Sequence, residues 1–239
     1  MVKMVPDKTA RFAERPHYEP KELDRECERI VSGFLRGRRA GPLYPITTDE
    51  LTILIEQDGA DLDQYADLSQ FGADVEGATI FHPSGVSEVW ISDQLANDDR
   101  RENRLRTTLA HEFGHLRFHR YLWVDKLASR SFFDRSSREN KAICKRDTII
   151  GATSIDWMEW QAGYISGAIL MPAGATRRLV ADLCAPLGEH AAVTVASETG
   201  RQVIETVMEQ FQVSKEAARV RLLKLGLLAT SDRQPSLFS

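Results

Sequence analysis

The stretch TTLAHEFGHLRFHRYLW, residues 107–123, decides how this chain is read. It carries three of the six histidines, and two of them frame a glutamate in His111-Glu112-Phe113-Gly114-His115. On an α-helix, positions i and i+4 lie about 40° apart and one turn along the axis. His111 and His115 therefore point the same way, and their imidazoles can meet on one zinc ion at about 2.0–2.1 Å. Glu112 lies about 100° round from His111. That offset sets its carboxylate beside the ion, where it can take a proton from a water at the open position.

This is the H-E-x-x-H pattern of zinc peptidases. It arises by chance in roughly one chain of this size in a hundred, so context has to decide. The run from Asp98 to Leu122 reads as one long helix, as the pattern requires. Before it, VEGATIFHPSGVSEVWIS changes to the alternating period of strands. Pro83-Ser84-Gly85 joins two β-rich runs near 75–81 and 87–92, an antiparallel hairpin, with a further strand expected near 62–68. The second run, with Val89, Trp90 and Ile91, is expected at the sheet edge, where an extended peptide could pair with it.

Zinc needs a third protein ligand. His119 is one turn beyond His115, but three ligands from consecutive turns would strain a tetrahedral site, so its expected role is support behind the ligands. Glu159 is the better candidate. From it, Ala162, Gly163, Ser166, Gly167 and Leu170 recur at helical spacing. Such small residues let one helix come close enough to another to deliver a carboxylate. Trp157 and Trp160 beside Glu159 argue against a solvated acid.

Several helices follow from local signals. KELDRECERIVSGFLRGRRAG begins after Pro20 and ends at the glycines. Thr47 and Glu50 form a capping box for TTDELTILIEQDG. IDWMEWQAGYISGAILMP stops at Pro172, a short helix follows near 174–184, and Ser214 caps VSKEAARVRLLKLGLL. The chain divides into a loose arm at 1–19, one domain at 20–230 with a helical subdomain at 174–228, and a disordered tail at 231–239. Residues 124–155 read as a long irregular excursion containing Cys144.

The whole-chain figures restrict the function classes. With 239 residues the chain can bury a substantial core. Its net charge of -4 offers no general basic field to nucleic acid. Three scattered cysteines without CxxC spacing argue against a disulfide framework. No apolar leader or membrane span is read, so the expected compartment is the cytoplasm.

The ordered set HEFGHLRFH, then EWQAGYISGAILMP, then FQVSKEAARVRLLKLGLL resembles the ImmA/IrrE family of zinc metallopeptidases over residues 45–228. The resemblance implies an α+β, mostly helical zincin-like fold with a small antiparallel sheet beside the motif helix. A C-terminal helical pair similar to a helix-turn-helix completes it. It implies His111, His115 and Glu159 as zinc ligands and Glu112 as catalytic acid/base. It also implies a protein substrate, often a helix-turn-helix repressor in stress responses or mobile-element regulation. The sequence departs from a familiar family form at Gly163, Ile165 and Ser166, all packing positions. A two-imidazole, one-carboxylate set also accepts manganese or another divalent ion.

Two other readings compete. The C-terminal pair, with Arg219, Arg221 and Lys224, could bind DNA directly, but its leucines favour packing. Alternatively, a catalytically silent zinc protein could act by gripping a partner. Cys144 could fill the open zinc position as a latency switch, against the simpler reading of a free structural cysteine. Tyr164, Tyr121, His119 and an arginine of the excursion are the candidates for stabilising an oxyanion.

Overall fold

The structure is a computed structural model that describes residues 2–41, 43–128, 156–185 and 193–230, and the backbone of 141–145. The tail at 231–239 and most of the 124–155 excursion lie outside the described residues.

The chain opens with two short antiparallel strands, β1 (Lys3–Pro6) and β2 (Glu14–His17), paired from Lys3↔His17 to Pro6↔Glu14. This corrects the expectation of a loose arm. The hairpin is held by its side chains rather than by a hydrophobic pattern. Asp7 accepts from Thr9 and from the Phe12 amide, and it also accepts from Trp157 Nε1 at 3.0 Å. Arg11 grips Asp156 through two bonds of 3.2 and 2.9 Å.

Helix α1 (Pro20–Arg36) starts on proline inside a Glu19/Glu22 capping box and buries Leu23, Cys27, Val31 and Leu35. Helix α2 (Thr48–Gln57) has the Thr47/Glu50 box, and Gly59 turns the chain at φ +85°. Three strands follow: β3 (Ala60–Ala66), β4 (Val75–Phe81) and β5 (Ser87–Ser92). The β4–β5 hairpin is antiparallel, with Gly85 at φ +86° in its turn.

Two features of this sheet differ from expectation. Strand β3 pairs parallel with β5, so the sheet is mixed. The strand order is β3-β5-β4-β6, where β6 is Lys141–Lys145. Strand β5 is therefore interior. Val89 faces Leu62 on one side and Thr79 on the other, Trp90 faces Asp63 and Ala78, and Ile91 faces Gly77. Their backbone groups are committed to neighbouring strands, and an incoming peptide cannot add there. The hairpin pattern fixes only one neighbour of β5; the other is set by where β3 lies in space.

The short helix α3 (Asp93–Ala96) leads into α4 (Glu102–Ala128). Every residue from Leu105 to Leu116 in α4 is buried, because the sheet covers one side and α5 (Trp157–Leu170) another. Inside, Arg106 donates to the carbonyls of Ile46 at 2.5 Å and Phe211 at 3.2 Å, tying α4 to distant loops.

The small residues of α5 serve two partners. A β-carbon on Gly114 would lie 3.2 Å from Ala162 Cα, and Ser166 donates to the Thr107 carbonyl at 3.2 Å. Gly167 instead faces Arg221. Helices α6 (Ala173–Cys184), α7 (Glu198–Phe211) and α8 (Lys215–Lys224) complete the chain, with a small parallel pair β7 (Val193–Thr194) and β8 (Leu228–Ala229). Ser214 caps α8, and Gly226 follows it at φ +69°.

Helix α8 packs inward. Arg221 is 2 % exposed, pairs with Asp24 at 2.7 Å and donates to the Met171 carbonyl. It is not a surface cation. Arg219 holds Glu216, and Lys224 sits over the Tyr164 ring. One buried cluster runs from Leu23 to Leu228, and a second joins Phe81, Leu122, Trp123, Trp157 and Met158, with Phe12 of the hairpin packed on it.

Candidate metal centre

Helix α4 brings His111 and His115 to one side, both fully buried. Helix α5 begins at Trp157 with Asp156 as N-cap, which places Glu159 in the first turn. The first-turn amides carry partial positive charge, with that of Met158 held by Asp156 Oδ1 at 3.1 Å, so a carboxylate is favoured there. Arg11 on Asp156 and Asp7 on Trp157 fix that turn from outside.

The three side chains converge. His111 Nε2 lies 3.1 Å from Glu159 Oε2, His115 Nε2 lies 3.2 Å from Glu159 Oε1, and the two Nε2 atoms are 3.1 Å apart. A tetrahedral ion with arms of about 2.0–2.1 Å has donors about 3.3 Å apart. The two imidazole nitrogens are within a few tenths of an ångström of that spacing, and each lies similarly close to one oxygen of the Glu159 carboxylate. Two imidazoles and a carboxylate are also the right donors for a divalent ion of this kind. Among the described residues these three form a group of suitable ligand atoms for a metal.

Glu112 stands beside this triangle, fully buried against β4. Its Oε2 accepts from Thr79 Oγ1 at 2.6 Å, while Oε1 is buried with no partner among the described residues. Gly77 makes room for it: a β-carbon there would lie 2.6 Å from Oε1. Burial pushes the Glu112 carboxyl above its ordinary value, against the pull of His115 and His111. For Glu159 burial acts in the same direction, but the neighbouring His115 and His111 outweigh it and hold the carboxyl well below the usual range. Similar burial thus leaves the two acids shifted in opposite directions, because the imidazoles outweigh it at Glu159 and not at Glu112.

His119 lies outside the triangle. Its Nδ1 is 3.1 Å from His115 Nδ1 and its Nε2 is 3.0 Å from Gln161 Oε1. Burial drives its pKa down to about 3, so it is neutral. Gln161 was not singled out in the sequence; its partners are a third histidine and a backbone carbonyl, which no spacing rule reveals. Tyr164 donates to Asp24 on the far side of α5 and is not available to an oxyanion. Tyr121 is 41 % exposed. The backbone of Cys144 in β6 faces Gly77, but its side chain and the arginines of residues 129–140 lie outside the described residues.

A helix-borne His-Glu-His set, a carboxylate from a second helix and a sheet strand at the site define a metallopeptidase-type hydrolase. Residues 95–223 match peptidase family M78, the IrrE N-terminal-like domain. That is more than half of the chain, and the protein belongs to this family. No curated protein matches the chain. No helix among the described residues is long and apolar enough to cross a membrane.

Proposed function

We propose that this protein is a zinc-dependent endopeptidase whose substrate is a helix-turn-helix transcriptional repressor, acting in a stress response or in mobile-element regulation. The observation that carries the enzymatic part is the triangle of His111, His115 and Glu159 with the unpartnered Oε1 of Glu112 beside it. The substrate class rests on the family resemblance alone. Residues 20–230 form the peptidase unit, with 174–228 as its helical subdomain, and one buried cluster spanning them supports this division.

His111 and His115 would hold the ion through Nε2, and Glu159 through its carboxylate. When bound, zinc supplies Lewis acidity that polarises a peptide carbonyl and makes water easier to deprotonate. Glu112 accepts the proton at Oε1 and passes it to the leaving amine. Its raised pKa suits this exchange, because a base poised nearer neutrality both takes and returns a proton. Thr79 holds the other oxygen and so fixes the direction of Oε1. Manganese or another divalent ion fits the same donors. The cytoplasm is the proposed compartment.

The test is Glu112→Gln. It should retain the ion and lower cleavage of a repressor encoded nearby by about 10²–10⁴-fold. Equal cellular effects of wild type and variant would favour a protein that acts by gripping its partner instead.

A further inference from the structure

We propose that Gln161 is a positioning residue that fixes, through His119, which nitrogen of His115 faces the metal. This inference rests on the metal reading of the site. The relay has four members. Gln161 Nε2 donates to the Pro16 carbonyl at 3.1 Å. A carbonyl oxygen only accepts, so the amide group of Gln161 must face it, and Oε1 must face His119. Oε1 in turn only accepts, so His119 Nε2, 3.0 Å away, carries the proton.

In a neutral imidazole the other nitrogen then has the lone pair. His119 Nδ1 is therefore an acceptor, and its neighbour at 3.1 Å, His115 Nδ1, must be the donor. With its proton held at Nδ1, His115 offers Nε2 to the ion. That is the nitrogen already 3.1 Å from His111 Nε2 and 3.2 Å from Glu159. The chain of constraint begins at a backbone carbonyl of β2, which is locked opposite Met4 in the N-terminal hairpin. His111 has no such relay, since its Nδ1 has no partner among the described residues. Among the described residues, the fold thus sets the tautomer of His115 and not that of His111. All four members of the relay are buried, so water does not compete for these bonds.

The experiment reads the histidine ring nitrogens of the metal-free protein by long-range proton–nitrogen correlation. It also measures the affinity for zinc ion by competition with a coloured chelator. In wild type, His119 should be protonated at Nε2 and His115 at Nδ1. Gln161→Leu removes the acceptor: His119 should then sample both tautomers, and zinc affinity should fall about 10–100-fold. Gln161→Glu, compared with wild type at a pH where its buried carboxyl is protonated, donates its O–H to the Pro16 carbonyl and accepts from His119, and should keep the wild-type tautomers and an affinity close to wild type. The proposal is overturned by a wild-type His119 protonated at Nδ1, a reading that holds even if Gln161→Leu does not fold. It is equally overturned if folded Gln161→Leu retains both tautomers and the wild-type affinity. Wild-type protein with the stated tautomers but no affinity for zinc would uphold the relay and refute the metal reading.

Discussion

Gly114 and Ala162 meet so closely that a β-carbon on Gly114 would sit 3.2 Å from the Ala162 α-carbon and 3.3 Å from Ile165 Cγ2. The two helices of the site are thereby set against each other one residue before His115, the end of the motif. The spacing that lets Glu159 reach both imidazoles depends on a missing side chain. Gly114→Val should force the helices apart at a cost of about 1–3 kcal/mol. Thermal melting should show the loss, and zinc affinity should drop with it. A variant that melts at the wild-type temperature and binds zinc equally well would show that the contact does not set the site.

Gly77 plays the corresponding part for Glu112. In Gly77→Ala the new methyl would lie 2.6 Å from Glu112 Oε1 and 2.8 Å from Thr108 Cγ2. The carboxylate must turn away, while the three ligands stay in place. Peptide cleavage should fall by about 10²-fold or more, with zinc affinity close to wild type. Parallel loss of both would place Gly77 in the metal site rather than beside the base.

Metal affinity should depend on pH through His115. Burial disfavours its charged form, but the Glu159 carboxylate prevails and raises the pKa above the ordinary 6.5. The charged ring carries a second proton at Nε2, which an ion taking that nitrogen must displace. Above the raised pKa the ring is already neutral, and this contribution to affinity is fully present. As pH falls through that value, protons compete and affinity declines. Chelator competition between about pH 6 and 8, the range in which a histidine titrates, should show weaker binding and proton release at the acid end. Flat affinity without proton release contradicts the assignment.

The buried pair of Arg221 and Asp24 predicts a large effect of one substitution. Arg221→Ala leaves Asp24 charged, almost fully buried and without its partner, at a cost of about 3–5 kcal/mol. Arg219→Ala, on the exposed face of the same helix, should change stability by about 0.5 kcal/mol or less. Denaturant unfolding separates the two. If Arg221→Ala is as stable as wild type and instead weakens binding to duplex DNA in a salt-dependent way, then α8 is a DNA-reading helix.

Much of the ligand geometry was legible because it is local or periodic. The i, i+4 spacing of His111 and His115, the position of Glu159 in its helix, and the small residues after it all lie within single helices. Caps at Thr47 and Ser214 were equally plain. What escaped the sequence reading is non-local. Strand β3 reads as a strand by itself, but nothing in its residues says that it lies parallel to β5 and turns β5 into an interior strand. The N-terminal hairpin has no apolar alternation, and its anchors, Trp157 and Asp156, lie 150 and 145 positions away from Asp7 and Arg11. Gln161 looked like an ordinary helix residue, because its role depends on a carbonyl at Pro16.

These long separations bear on when the protein becomes competent during synthesis. The hairpin leaves the ribosome well before the turn that holds it, which is made 145 residues later. Until that turn emerges, the nascent chain has the two imidazoles but neither the acid from the second helix nor the carbonyl-anchored glutamine. A chain interrupted before residue 156 lacks both Glu159 and Gln161, so the candidate centre comes together only once the second helix has been made.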